Sequence, residues 1–476
     1  MSPTFRALRV RNYRIYAAGA VVSNVGTWMQ RVAQDWLVLQ LTANSGTALG
    51  ITTGLQFLPM LVLSPLAGVV ADRFPKRKVL VATQLMMVIP AAMLGILAVT
   101  GLAEAWHVYV LAFLFGTGTA FDAPARQSFV VEMVGTDDLA NAVGLNSASF
   151  NTARIIGPAA AGGLIAVLGS GVSATGWAIL INAASYLAVI WSLRQMDPRS
   201  LHPAKQAQRG RGAVREGIRY VRSRPDLLLL LATVFFVGTF GMNFQMTTAL
   251  MATEVFDKGA GAYGLLGSMM AVGSLAGALL AARRSRPRLR IVIVAAIVFA
   301  VAEVFLGLMP SYWTFALFLP VVGLFALTMI TTANATIQLT VLPEMRGRVA
   351  ALYMMIFMGG TPAGAPLIGW MGEVLGARST LVGGGLITLA GIAVALIAYL
   401  RSSGLVVRRE TGRPLSLTVA ARDPLGEAEP ASLPMNSQAE RSERDAAADQ
   451  TVEQIVVRRD HHAQRHRERQ QAPESA

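Results

Sequence analysis

The 476-residue chain contains no cysteine, only five histidines and few charges, with 14% of its residues Asp, Glu, Lys or Arg. An average soluble domain has about 25% charged residues. The lack of cysteine excludes disulfides, thiolate metal sites and cysteine nucleophiles. No H-E-x-x-H or D-D-x-x-D string occurs, and His107 is the one histidine beside a long apolar stretch. Intramembrane hydrolases and prenyl-transferring enzymes need a metal, paired acids or an activated nucleophile, so enzyme chemistry has nothing here to carry it. No A-x-A-like site closes a short apolar stretch, and no cleavable signal peptide is expected.

Apolar length is what the chain has instead. It is 54% hydrophobic with a mean hydropathy of +0.50. Twelve mostly apolar segments recur, at roughly 12–40, 47–71, 78–100, 107–130, 139–168, 173–194, 226–252, 261–283, 289–309, 312–336, 348–374 and 378–400. Each is long enough to cross a hydrocarbon core of about 30 Å, and Gly and Pro within them are tolerated in membrane helices. The expected fold class is an all-α polytopic membrane protein.

The net charge of +14 has a location. Residues 401–476 balance 12 Lys/Arg with 12 Asp/Glu, so the excess lies before them. With twelve crossings, the connections at 1–14, 72–78, 126–138, 194–225, 283–290 and 344–348 share one side and hold 25 Lys/Arg, while the other side holds Lys258 and Arg378. The positive-inside rule puts both termini in the cytoplasm. The basic balance is thus a topology signal, and no nucleic-acid partner is expected.

The long basic connection divides the chain into a six-helix bundle at 1–194, an amphipathic linker at 195–225 lying on the inner membrane surface, a second bundle at 226–400 and a disordered cytoplasmic tail at 401–476. The halves echo each other. Val10-Arg11-Asn12 answers Val221-Arg222-Ser223, Gly68 in SPLAGVVADR answers Gly277 in SLAGALLAARR, and Glu132-Met133-Val134-Gly135 answers Glu344-Met345-Arg346-Gly347. A near-constant offset points to a duplicated unit. The tail lacks apolar periodicity apart from a short helix expected near 451–470. His461, His462 and His466 there read as part of a mobile polar stretch rather than a metal site.

Between the second and third segments lies GVVADRFPKRKVL, which crowds Asp72, Arg73, Lys76, Arg77 and Lys78 into a tight inner turn. The pattern G-x-x-x-D-R-x-x-x-R-K resembles the signature loop of the major facilitator superfamily. Gly68, Asp72, Arg73 and Arg77 match, and Pro75 stands where the family usually has Gly. The strings GTWMQRVAQDWLVLQLT, FDAPARQ, LNSASFNTARIIGP and RGRVAALYMM resemble the branch of the enterobactin exporter and related drug and secondary-metabolite efflux proteins, of the transmembrane secretion effector type. This resemblance covers about residues 5–400. It implies two pseudo-symmetric six-helix bundles, packing of helix 2 on helix 11 through Gly68, and a cytoplasmic charge lock in which Asp72 and Arg73 meet the Glu344, Arg346 and Arg348 segment. Ala281 falls where the second half would repeat Asp72. Gly157, Pro158, Gly162 and Gly163 resemble the antiporter signature of helix 5 with one residue too many, and would bend that helix and allow close packing.

A charge in mid-bilayer costs roughly 2.5–3.5 kcal/mol on insertion scales, so each calls for a partner or a cavity. In the first segment Asn24, Trp28, Arg31 and Asp35 fall within an arc of about 60° at helical spacing, flanked by Thr27 and Gln34. Arg31 and Asp35, one turn apart, are expected to pair. The stripe reads either as lining a central cavity or as a self-neutralised pair near the outer headgroups. In the fifth segment Ser147, Asn151, Arg154 and Pro158 repeat the spacing, and Arg154 must find its acid on another helix. Asp122 and Asp35 are the candidates, with Arg126 competing for Asp122. Glu303 reads as a structural acid on a peripheral helix. Thr239, Asn243, Gln245, Asn334 and Gln338 supply neutral polarity to the second half. Trp28, Trp36, Phe57, Met60, Phe240, Met242, Phe244, Met246 and Tyr353 are candidate cavity walls, each also readable as ordinary helix packing.

The resulting expectation is a monomeric secondary transporter of the cell membrane, without cofactor or metal. It exports a small amphipathic compound such as a drug, siderophore or secondary metabolite. Protons are its expected coupling ion, taken up on Asp35, or on Asp122 as second choice, while the bundles rock about the site. Uptake or facilitated diffusion on the same fold, or a non-transporting sensor, are the alternatives.

Overall fold

Some helices start at side-chain caps, and some stop at a glycine or a short charged turn. A computed structural model describes residues 3–135, 137–202, 213–283, 288–402, 405–409 and 417–421. The first six helices are α1 Arg11–Leu41, α2 Gly46–Arg73, α3 Lys76–Val99, α4 Ala105–Val134, α5 Leu139–Val167 and α6 Val172–Arg194. Ser45 caps α2 by accepting from the Ala48 amide, and Glu104 with His107 forms a capping box at the start of α4. The turn from α2 to α3 is only Phe74 and Pro75, where proline cannot continue the preceding helix.

In the second half, α7 occupies Pro225–Val255, α8 Ala260–Ala282, α9 Leu289–Gly307, α10 Tyr312–Thr340, α11 Pro343–Leu375 and α12 Ala377–Ser402. Helix α7 is interrupted by π-turns at Val237–Gly241 and Met251–Val255, and α11 is interrupted at Gly360. Such local unwinding is tolerated where neighbouring helices satisfy the freed backbone groups.

Among the described residues, eleven helical stretches are long and apolar enough to cross a membrane. The sequence leads one to expect twelve. The exception is α1, whose 31 residues give length to spare but whose polar stripe dilutes its hydropathy.

Within each half the tightest pairs meet through small residues: α1 with α6, α2 with α4, and α8 with α10. Gly116 sits against the Gln56 backbone, and Gly273, Gly277 and Gly323 bring α8 and α10 into backbone contact. Without water to drive burial, such close backbone approach supplies the packing energy. At the basic end of the first half, Tyr13, Tyr16, Leu80, Phe129, Met133 and Leu193 form a buried core.

The two halves meet through α2 on α11 and α5 on α8. The closest backbone contacts between them lie toward the ends away from the basic loops. Gly46 and Gly369 touch through backbone, Gly50 lies on Ala365, and Gly162 and Gly264 bring α5 against α8. Toward the basic end the same helices leave Val62 and Leu66, Val143 and Phe150, and Met354 and Met355 exposed. The halves therefore converge at one end and diverge at the other.

The linker forms a short turn at Pro198–Ser200 and an amphipathic helix at Ala213–Arg222, which packs Gly217 against Arg348 and Leu352 of α11. In the segment expected to be disordered, Leu405–Arg409 pairs antiparallel with Leu417–Ala421. The expected helix near 451–470 and the three tail histidines lie outside the described residues.

Candidate functional site

The two polar stripes lie side by side because Gly157 has no side chain. A Cβ there would collide with the Trp28 side chain and crowd the Val25 and Met29 backbone. Both stripes show the same gradient. On α1, Asn24, Trp28 and Arg31 are partly exposed while Asp35 is buried; on α5, Ser147 is exposed, Asn151 and Arg154 partly so, and Pro158 is buried. Beyond Arg31, residues 32–39 are all buried. The stripes thus line a space that opens at the basic end and closes just past Arg31 and Arg154.

Arg31 and Asp35 do not form the expected ion pair. The Arg31 guanidinium lies over the Trp28 ring at 4.6 Å and near Phe57 at 6.0 Å. Neither expected acid reaches Arg154, whose guanidinium also lies over Trp28, 5.5 Å from the ring centroid. The indole competes successfully because a guanidinium over an aromatic face keeps an electrostatic partner without surrendering its donors. Asn24 donates to Ser149 at 3.2 Å, joining the stripes, whereas Asn151 turns back to the Ser147 carbonyl at 2.8 Å.

Asp35 turns to the other half of the molecule. Its Oδ2 lies 2.9 Å from the Tyr263 hydroxyl on α8, which is also 3.1 Å from the Gln245 carbonyl on α7. Trp36 stacks on the Tyr263 ring, and Ser268 donates to the Ile155 carbonyl at 2.6 Å. Around this crossing Pro158 and Gly162 of α5 contact Gly264. Gly163 faces open space and takes no part in the packing. Tyr263 was not legible in the sequence. A lone tyrosine in the small-residue run GAGAYGLLGS was its only signal.

Asp122 is occupied locally. It pairs with Arg126 at 2.8 Å and accepts from Thr83 and Gln84 at 2.9 and 2.8 Å, all within the first half. That full set of partners explains why Arg154 cannot recruit it. The geometry is that of a packing centre for α3 and α4.

At the basic end, Lys76 pairs with Glu132 at 2.5 Å and Arg77 donates to the Arg194 carbonyl at 3.1 Å. Arg73 is exposed. Arg346 donates to the Val341 carbonyl, and Arg348 pairs with Glu216 of the linker helix at 2.9 Å. At the opposite end the structure shows a clasp that the sequence did not reveal. Glu373 of α11 accepts from the Ser45 hydroxyl at 2.8 Å and the Thr47 amide at 3.0 Å, at the start of α2. Unpaired amides and the helix dipole favour an anion there.

Glu303 is more enclosed than a peripheral position implies, at 1% exposure, and its Oε2 has no hydrogen-bond partner among the described residues. It abuts Gly241 at the first π-turn of α7 and Gly384 of α12. Of the candidate wall residues, Phe57, Met60, Phe240 and Met242 are partly exposed, while Trp36, Phe244, Met246 and Tyr353 are core.

Two bundles joined along glycine-rich seams, closed at one end over a polar stripe and open at the other, define a multi-pass membrane transporter of the major facilitator type. A family model described as transmembrane secretion effector matches residues 2–413, and the chain belongs to that family, one of transporters and not enzymes. The chain is 28% identical to the multidrug efflux pump Tap of Mycolicibacterium fortuitum, covering 80% of this chain and 94% of Tap. It is 25% identical to macrolide efflux protein A of Streptococcus pyogenes, covering 83% of this chain and 97% of that protein. Among solved structures, a bacterial homologue of the human lysosomal transporter Spinster, in an inward-facing and unoccupied conformation, superposes with a TM-score of 0.60. That match is at 14% identity and covers 82% of this chain and 95% of the other, so it speaks to the fold.

Proposed function

We propose that the protein is a proton-coupled exporter of small amphipathic compounds, working by alternating access with α1 as the twelfth span. The efflux activities named for its relatives, together with the basic loops on one side, support this reading. By the same charge rule the basic end is cytoplasmic, so the arrangement is inward-facing, with the outer end shut. It acts as a monomer in the cell membrane.

The observation that carries proton coupling is the contact of Asp35 with Tyr263. A phenol has one proton to donate, yet Tyr263 stands between two acceptors, the Asp35 carboxyl and the Gln245 carbonyl. If Asp35 carries a proton, it donates to the phenol oxygen and the phenol donates to Gln245, so every group is satisfied. The Gln245 carbonyl also accepts from the Thr248 hydroxyl at 3.3 Å. The cost of ionising Asp35 therefore falls on the carboxylate, a buried charge with one hydrogen bond and no ion pair among the described residues. The outer-closed arrangement therefore favours neutral Asp35. A proton taken up from outside drives the bundles together over the site and turns the cavity inward. Release of that proton to the cytoplasm, with substrate bound, returns the carrier to the outside. The Asp72 turn and the Arg346–Arg348 segment form the inner gate in the outward-facing phase.

Inside-out vesicles with an acidic lumen test this directly. Wild type accumulates a labelled macrolide, and collapsing the pH gradient stops it. Gradient-independent accumulation would overturn proton coupling, and no accumulation of macrolides, cationic dyes or aromatic carboxylates under any gradient would overturn export.

A further inference from the structure

Two guanidinium groups over one indole is an arrangement that packing alone does not explain. Each carries five donors, and among the described residues neither Arg31 nor Arg154 has a hydrogen-bonded or ion-paired acceptor. The nearest acid, Asp35, is held by Tyr263, and Asp122 is held by Arg126, Thr83 and Gln84. Like charges this close repel most strongly where the surroundings are dry, and a buried guanidinium without an acceptor is costly. Both stand where the exposure of their stripes ends, with Asp35 and Pro158 buried one turn further along. Around them are aromatic faces: Trp28 itself, Phe150 edge-on to it at 5.6 Å, and Phe57 beside Arg31.

We propose that Arg31, Arg154 and Trp28 form the substrate's anion subsite, taking the carboxylate or similar planar anion of an aromatic amphipathic compound. The inference rests on the exporter reading and narrows its substrate class. A carboxylate set between two guanidinium forks satisfies donors on both and cancels their repulsion, and planar bidentate geometry is what arginine offers over lysine. The ring of the same compound packs against Phe57 and Phe150. The neutral Asp35 of the inward-facing form leaves the positive potential of the pair uncancelled for the incoming anion. A bound anion in turn relieves the repulsion that opposes closing the inner end.

The test is equilibrium binding to the full-length protein in phosphatidylcholine discs, which supply no anionic headgroup. The probes are radiolabelled 2-naphthoate and its neutral isostere 2-naphthamide. Naphthoate is expected to bind about tenfold or more tighter than naphthamide. R31Q and R154Q are each expected to weaken naphthoate by about tenfold and leave naphthamide unchanged. R31K and R154K, which keep the charge and the fold, retain part of the preference. Equal binding of the two probes to wild type, or naphthoate affinity unaltered in both Gln variants, overturns the subsite. Failure here alongside gradient-driven macrolide accumulation in vesicles would leave the exporter reading standing and remove only the anion preference.

Discussion

Asp35 on the first bundle and Tyr263 on the second meet at 2.9 Å in the buried seam between α1 and α8. Among the described residues this is the one hydrogen bond from the polar stripe of α1 to the opposite half of the molecule. It places the group proposed to carry the proton on the surface that must part when the outer end opens.

Asp35→Asn keeps the shape and removes the titration. Gradient-driven accumulation in inside-out vesicles is expected to fall to background, while equilibrium binding of substrate persists. Full accumulation by this variant would remove Asp35 from the mechanism.

Tyr263→Phe removes one hydroxyl and nothing else. A hydrogen bond of this kind contributes about 1 kcal/mol, so the ratio of outer-closed to outer-open forms should fall by about fivefold. Spin labels on the outer ends of α5 and α8 would report this as a longer mean distance.

The lack of native cysteine makes a crosslinking test clean. A Cβ on Gly261 would lie 3.6 Å from that of Ala166, within the range a disulfide accepts. Oxidised A166C/G261C should be trapped outer-closed and transport-inactive, and reduction should restore transport. Unimpaired transport by the crosslinked protein would refute opening at this seam.

Glu373→Gln leaves the clasp on Ser45 and Thr47 without its charge. Hydrogen bonds to charged groups contribute about 1.5–3 kcal/mol and neutral ones about 1. The A166C/G261C pair in this background should crosslink several-fold more slowly.

Asp122→Ala separates structure from transport. Removing one partner of a buried ion pair costs roughly 3–5 kcal/mol, because Arg126, Thr83 and Gln84 all lose an acceptor. A marked drop in Tm and in yield is expected, in contrast to the stable but inactive Asp35→Asn.

Much of the scaffold was readable from composition. Apolar length, basic loops on one side and the turn at Asp72 define the bundles, and helical spacing put Asn24, Trp28, Arg31 and Asp35 on one face. The pairings were less legible. Spacing says which residues share a face of one helix, so Arg31 and Asp35 looked like partners. It does not say what the next helix presents, and there the Trp28 ring and the Tyr263 hydroxyl decided the outcome. Arg154 shows the same limit. Of its two candidate acids, Asp122 is held by Arg126, the competitor that spacing had named, and by the uncharged Thr83 and Gln84 on α3. Asp35 is held by Tyr263, which gave no such signal. The clasp at Glu373 depends on the fold bringing the end of α11 to the start of α2, more than three hundred residues earlier.

The bare glycines where α2 meets α11 and α5 meets α8 have a mechanical consequence. Interlocked side chains would have to change rotamer one by one before the surfaces could separate. Smooth backbone ridges can roll over each other like bearings, so in the transport cycle proposed above a few polar contacts would set the threshold for release.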